Sequence, residues 1–119
     1  MEDEKYQRII QEYVPGRQVT LAHIIASPDE ILYKKLGLDP KLDYAKAAIG
    51  VTTVIPSETA IIMADIAMKA SGIEIGFVDR FSGSLIFTGT VSEVEAAMTA
   101  QLDYVKSKLG YTICEVTKT

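Results

Sequence analysis

Between Pro56 and Gly72 the chain reads PSETAIIMADIAMKASG, and after Glu58 its only charges are Asp65 and Lys69. Ser57 behind Pro56 predicts an N-cap, Glu58 falls in the first turn, and Gly72 predicts the stop of a helix. Asp65 and Lys69 are four residues apart and therefore share a face. Ile61, Ile62, Met63, Ile66 and Met68 are spread around most of the circumference, with Ala60, Ala64, Ala67 and Ala70 between them. A helix that only covers a sheet in a small monomer needs one apolar stripe. This pattern predicts burial on two sides, with the sheet on one and another subunit on the other. The plainer reading is a core helix with an exposed Asp65–Lys69 ion pair.

The rest of the pattern surrounds that helix with strands. Met1–Lys5 is an acidic leader, and Tyr6–Val14 alternates loosely as a short strand or extended arm ended by Pro15-Gly16. Such an arm is either a loose tail or a strand completed by other chains. Gln18–Ala26 alternates as a strand with Val19, Leu21, His23 and Ile25 on one face. Ser27-Pro28-Asp29-Glu30 predicts a helix start with Ser27 as N-cap, Pro28 at N1 and Glu30 completing a capping box. Ile31, Leu32 and Leu36 form its apolar side and Gly37 ends it. Leu38–Lys46 is a charged linker. Ala47–Ile55 is a second strand, while Ile73–Arg80 and Ser84–Val91 form a hairpin around Phe81-Ser82-Gly83. Ser92-Glu93-Val94-Glu95 predicts a capping box for a helix with Val94, Met98, Leu102, Val105 and Leu109 on one stripe. Gly110 ends that helix, and Tyr111–Thr117 predicts a last short strand.

From Ala47 onward the order is β-α-β-β-α-β, that of a ferredoxin-like α/β sandwich with an antiparallel sheet, so the fold class is α+β. An extra strand and helix stand ahead of that core, as a circular permutation would place them, with Leu38–Lys46 at the join. The expected organisation is a single domain, with residues 1–17 as the arm and 18–119 as the sandwich. Val19–Ala26 and Tyr111–Thr117 compete for one central slot in the sheet. The permutation argument favours the first and leaves the second nearer an edge.

Composition narrows the function. The 119 residues suffice for one core without disulfides or metal. A net charge of −4 argues against a nucleic-acid module, which needs a basic surface for phosphates. The single cysteine, Cys114, has no partner for an intrachain disulfide, which suits the reducing cytosol. The charged start MEDEKYQR lacks a signal-peptide pattern, and the apolar runs are too short to span a bilayer. A cytoplasmic protein is expected, with no nucleic-acid and no membrane partner.

Catalytic motifs are missing as well. The chain carries no GxGxxG after a strand, no GxxxxGK[ST], no HExxH and no CxxC. A nucleophilic site would have to use His23, which sits mid-strand on an otherwise apolar face and reads as a hydrogen-bonded core or interface histidine. Asp79 and Arg80, flanking the hairpin tip, read either as an acid and an anion binder or as an ion pair. No cofactor and no metal site are expected, since zinc needs more His and Cys ligands than are present. An enzyme is not expected. Phe81-Ser82-Gly83-Ser84 is an ordinary turn if the protein is monomeric. In a ring, identical loops would meet at the axis and form a pore of hydroxyls and backbone groups.

Three stretches carry a resemblance. IQEYVPGRQVTLAHIIA (Ile10–Ala26), IGFVDRFSGSL (Ile75–Leu85) and ADIAMK (Ala64–Lys69) are similar to the arm and permuted strand, the pore hairpin and the interface helix of bacterial microcompartment shell proteins. The likeness is to the circularly permuted hexameric kind found with propanediol, ethanolamine and choline utilisation shells. It covers nearly the whole chain except Met1–Lys5 and Leu38–Lys46, a linker longer and more charged than the family pattern. The resemblance implies a non-catalytic homohexameric tile that packs edge to edge with other shell proteins around encapsulated enzymes. It places Phe81, Ser82 and Gly83 in the pore loop and Lys69, with Asp65 beside it, at the hexamer edge. It also implies that six copies of Ile9, Ile10, Gln11, Glu12, Tyr13 and Val14 close into a β-barrel that caps the pore. The other reading is a small ligand-binding regulatory domain, since ferredoxin-like sandwiches often bind metabolites between subunits.

Overall fold

The computed structural model describes residues 16–38 and 47–119. The expected arm, Ile9, Ile10, Gln11, Glu12, Tyr13 and Val14 included, and residues 39–46 of the linker lie outside them. In chain order the described elements are β1 (Gln18–Ile25), α1 (Glu30–Lys35), β2 (Ala48–Ile55), α2 (Thr59–Ala70), β3 (Glu74–Asp79), β4 (Ser84–Gly89), α3 (Val91–Ser107) and β5 (Thr117–Lys118). They build one sheet in the order β3-β4-β2-β1-β5, antiparallel except that β5 runs parallel to β1.

The long helices cover one face because the strands turn a continuous apolar surface toward them. Ala48 and Val54 of β2, Leu85 and Phe87 of β4, and Ile24 of β1 meet Met63 of α2 and Val94, Met98 and Val105 of α3 in the main core. Gly50 makes room for the largest of these side chains: a Cβ there would stand 2.6 Å from the Phe87 ring. Between the helices, Gln101 is fully buried and its Nε2 donates to the Met63 carbonyl at 2.9 Å, which ties α3 to α2. The opposite face carries a smaller cluster of Tyr33, Leu38 and Ile49, with Tyr33 Oη donating to the Ala47 carbonyl at 2.6 Å.

β1 departs from strict alternation. Its register shifts between Val19 and Leu21, so Val19, Ala22 and Ile24 are the buried residues instead of Val19, Leu21, His23 and Ile25. A bulge inserts one residue and reverses the facing of everything after it. Here that exchange turns Ile24 into the main core and takes the polar imidazole out of it. β1 also settles the competition for the sheet. It pairs with β2 along its length, while the final strand shrinks from the expected Tyr111–Thr117 to Thr117–Lys118 at the edge, with a lone bridge from Thr112 to Gln18.

All three helix starts differ from the expected caps. At α1 the cap is Asp29, not Ser27, and its carboxylate accepts from Ile31 N at 3.0 Å. α2 begins after Glu58 without a side-chain cap, so Ser57 is not its N-cap. At α3 two overlapping boxes compete, and the earlier one forms: Glu93 N donates to Thr90 Oγ1 at 3.2 Å and Thr90 N to Glu93 Oε1 at 2.9 Å. β4 ends at Gly89, so the chain enters the helix at Thr90 and has already passed the turn that Ser92 would cap.

Candidate assembly surface and hairpin loop

The tip of the β3–β4 hairpin is built around Asp79. Its carboxylate accepts from Phe81 N and from Ser82 Oγ, each at 2.8 Å, the geometry of an Asx turn. Gly83 closes the turn with φ +79°, its N donating to the Asp79 carbonyl at 2.9 Å and its carbonyl accepting from Val54 N at 3.0 Å. With the backbone held at both ends, Phe81 has nowhere to pack and stands 81% exposed. The Arg80 guanidinium lies 5.0 Å from the centre of the Phe81 ring, a cation–π contact. Asp79 and Arg80 are thus a turn acceptor and an aromatic partner. The role of Asp79 was legible in principle, since Asp two residues ahead of the N–H it accepts from is the Asx-turn signature.

The bonds from Phe81 N and from Ser82 hold the Asp79 carboxyl below the ordinary carboxylate range. A lowered folded-state value means the group stabilises the fold above the unfolded pKa, and that this contribution is lost as pH falls through the folded one. Wild type is therefore expected to melt above Asp79→Asn at about pH 7, with the gap closing below about pH 4. Thermal melts across that range check it; a gap that stays constant would show that Asp79 acts through shape alone.

The other feature is α2. Ala60, Met63, Ala64 and Ala67 are buried against the sheet and α3, while Ile61, Ile62 and Met68 are 51%, 44% and 53% exposed. Beside them, Lys69 Nζ lies 2.7 Å from Asp65 Oδ2, an exposed i,i+4 pair. The hydrogen bond that Lys69 donates to Asp65, reinforced by the carboxylate's charge, raises the Lys69 pKa above the ordinary lysine value. Ile62, Asp65, Ile66, Lys69 and Ala70 line a shallow groove closed on its far side by Tyr104 of α3.

The groups that could suggest catalysis are placed otherwise. His23 is half-buried on the α1 side of the sheet, with Nδ1 2.5 Å from Thr117 Oγ1 and Nε2 2.9 Å from Thr119 Oγ1. Cys114 is half-buried against the main core. Among the described residues no group of three or more His, Cys, Asp and Glu side chains is placed to hold a metal, and no helix is long and apolar enough to cross a membrane.

Residues 48–116 match the BMC domain family. The chain is 51% identical over 114 residues, 96% of its length and 94% of the relative's, to the bacterial microcompartment shell protein CutR of Streptococcus intermedius. It is 51% identical over 112 residues to the shell protein EutS of Salmonella typhimurium, covering 94% of this chain and 96% of that one. Its fold superposes on the flat hexamer of CutR with a TM-score of 0.80 at 50% identity, over 94% of this chain and 99% of that one. The chain belongs to the bacterial microcompartment shell proteins, a family of structural, non-catalytic proteins.

Proposed function

We propose that this chain is a hexameric tile of a bacterial microcompartment shell, closed into a ring through the outer side of α2. The observation that carries this is the apolar surplus of that helix: Ala60, Met63, Ala64 and Ala67 are consumed by the core, and Ile61, Ile62 and Met68 are left exposed. Relatives of about half identity form flat hexamers, which supports the same closure here. In this reading Phe81, Ser82 and Gly83 surround the axis as the pore loop. The exposed Phe81 and the hydroxyls of Ser82 and Ser84 are what the loop offers to a passing molecule. Lys69, paired with Asp65, lies at the edge and meets the next ring. The circular permutation is supported by β1, which takes the slot beside β2 that a strand following the second helix of an unpermuted sandwich would fill.

Ile9, Ile10, Gln11, Glu12, Tyr13 and Val14 supply, in six copies, the strands of a β-barrel over the pore. Each edge is then satisfied by a neighbour. Residues 1–17 are the arm and 18–119 the sandwich of a single domain. The outward partners are other shell proteins at the edge and encapsulated enzymes at one face.

Native mass spectrometry followed by negative-stain microscopy tests the reading. Six-membered rings with patches of hexagonal sheet or tubes are expected; a clean monomer or dimer overturns it. Lys69→Ala is expected to weaken sheet formation and leave the ring intact, measured by counting rings and sheets on the grid. Loss of the ring itself would move Lys69 from the edge to the subunit contact. Deleting residues 1–14 is expected to open the pore in projection images and shift the melting temperature by no more than about 4 °C, because the main core is assembled between Val19 and Val105. A larger fall would make the arm part of the core.

A further inference from the structure

At the tip of the β3–β4 hairpin one hydrogen stands between two acceptors. Ser82 Oγ lies 2.8 Å from Asp79 Oδ2 and 3.1 Å from Ser84 Oγ, and Ser84 N points at it from 3.4 Å. A serine hydroxyl owns a single hydrogen, whereas an ionised carboxylate can only accept. The bonds from Phe81 N and Ser82 hold the Asp79 carboxyl below the ordinary carboxylate range, so it stays ionised near neutrality. Phe81 N also pins the other carboxylate oxygen at 2.8 Å, which stops the acid from rotating away. Among the described residues Arg80 makes no ion pair with it, the guanidinium lying over the Phe81 ring.

The Ser82 hydrogen therefore lies on the bond to Asp79, the shorter of the two and the charge-assisted one. Only lone pairs remain on Ser82 Oγ. The contact between the two serines is then made by the Ser84 hydrogen, and the Ser84 oxygen is left to accept as well. Such a relay, Ser84 to Ser82 to Asp79, strengthens along its length because each bond polarises the next. Ser82 is exposed and Ser84 half-buried, so a solute can reach the relay.

We propose that Asp79 sets the hydrogen-bond polarity of the hairpin tip, turning Ser82 and Ser84 into acceptors, so that the tip prefers solutes that donate over solutes that cannot. Asp79 is a positioning residue here, acting through Ser82 without touching the solute. The preference among solutes rests on the hexameric reading, in which six such tips face one axis and a donor meets acceptors on every side. The orientation of the hydroxyls does not rest on it.

Two cations that differ in donors test it. Methylammonium carries N–H groups and tetramethylammonium carries none, while their charge is the same. A general electrostatic change moves both and cancels in the ratio of their affinities. Amide shifts of Ser82 and Gly83 in the full chain follow each titration. The ratio favouring methylammonium is expected to fall roughly tenfold in Asp79→Asn. The asparagine carbonyl still accepts from Phe81 N, but its amide donates to Ser82 Oγ and turns the Ser82 hydrogen outward. Ser82→Ala is expected to lower the ratio as much, and the double variant no further than Ser82→Ala alone. An unchanged ratio in Asp79→Asn overturns the proposal, and so does a double variant in which the two losses add.

The Ser82 hydroxyl proton gives a second reading by nuclear magnetic resonance in the cold. It is expected to be visible and shifted downfield in the unaltered chain, and lost in Asp79→Asn; its absence from both overturns the orientation. Native mass spectrometry of the same sample separates the two ideas. Rings whose ratio ignores Asp79→Asn overturn the polarity assignment and leave the hexamer standing. Separate subunits that keep the hydroxyl signal overturn the hexamer and leave the orientation standing.

Discussion

Ile61→Asp combined with Met68→Asp is expected to leave folded monomers where the unaltered chain forms rings. The two side chains are two turns apart on α2 and are 51% and 53% exposed. In the monomer an aspartate at either position faces water, so the fold loses about 0.5 kcal/mol or less per site. In the ring the same positions would be covered. Each substitution then removes roughly 1.5–3 kcal/mol of apolar burial and adds the cost of desolvating a carboxylate. Since every 1.4 kcal/mol is about tenfold in an equilibrium constant, the loss is expected to exceed roughly a thousandfold. Size-exclusion chromatography with light scattering, beside a thermal melt, reads both arms. Rings that persist would remove α2 from the subunit contact. A melt that collapses together with the ring would show instead that Ile61 and Met68 support the monomer.

Gly83→Ala carries the second large effect, on stability and on the hairpin together. The residue has φ +79°, and a Cβ built there would stand 2.2 Å from the Val54 carbonyl oxygen and 3.1 Å from Ser57 Cα. Both obstacles are backbone, so no rotamer change relieves them. The left-handed conformation by itself costs a non-glycine residue roughly 1–2 kcal/mol. Relieving the clash means breaking the bond from Val54 N to the Gly83 carbonyl or shifting the start of α2. A total of about 2–4 kcal/mol follows, which for a domain of this size lowers the melting temperature by roughly 10 °C. Differential scanning calorimetry measures it directly. A fall under about 3 °C would mean that the turn swings free of β2 at little cost, and that Gly83 does not fix where Phe81 and Ser82 are held.

The residues of α2 show how much of the assembly surface was legible. A helix apolar on two sides follows from where Ile61, Ile62, Met63 and Met68 fall on a 3.6-residue period, and helical periodicity is a local property. The exposed Asp65–Lys69 pair follows from the same geometry. The hairpin around Phe81-Ser82-Gly83 was equally local, because only glycine accepts the left-handed conformation that ends it without strain. β-Branched residues likewise sufficed for β2, and the hairpin turn for β3 and β4, to within a residue or two at their ends.

What was not legible depended on competition between distant segments. Whether Thr90 or Ser92 caps α3 is decided by where β4 stops, and β4 stops where its pairing with β2 ends. The facing of Leu21, His23 and Ile25 is reversed by one extra residue, and a bulge leaves no mark in composition because its benefit, Ile24 in the main core, lies on the other side of the sheet. Tyr111–Ile113 has the pattern of a strand, yet its apolar side chains gain more by packing under the sheet's edge than by extending the ladder, so β5 is left to Thr117 and Lys118. By itself the sequence determined the helices, the hairpin, the family and the surplus apolar face, since each depends on contacts within a few residues or on a pattern carried by one element. Only the tertiary structure decided the sheet order, the facing of β1 and the caps, because each is a choice between nearly equal local options made by contacts far away in the chain.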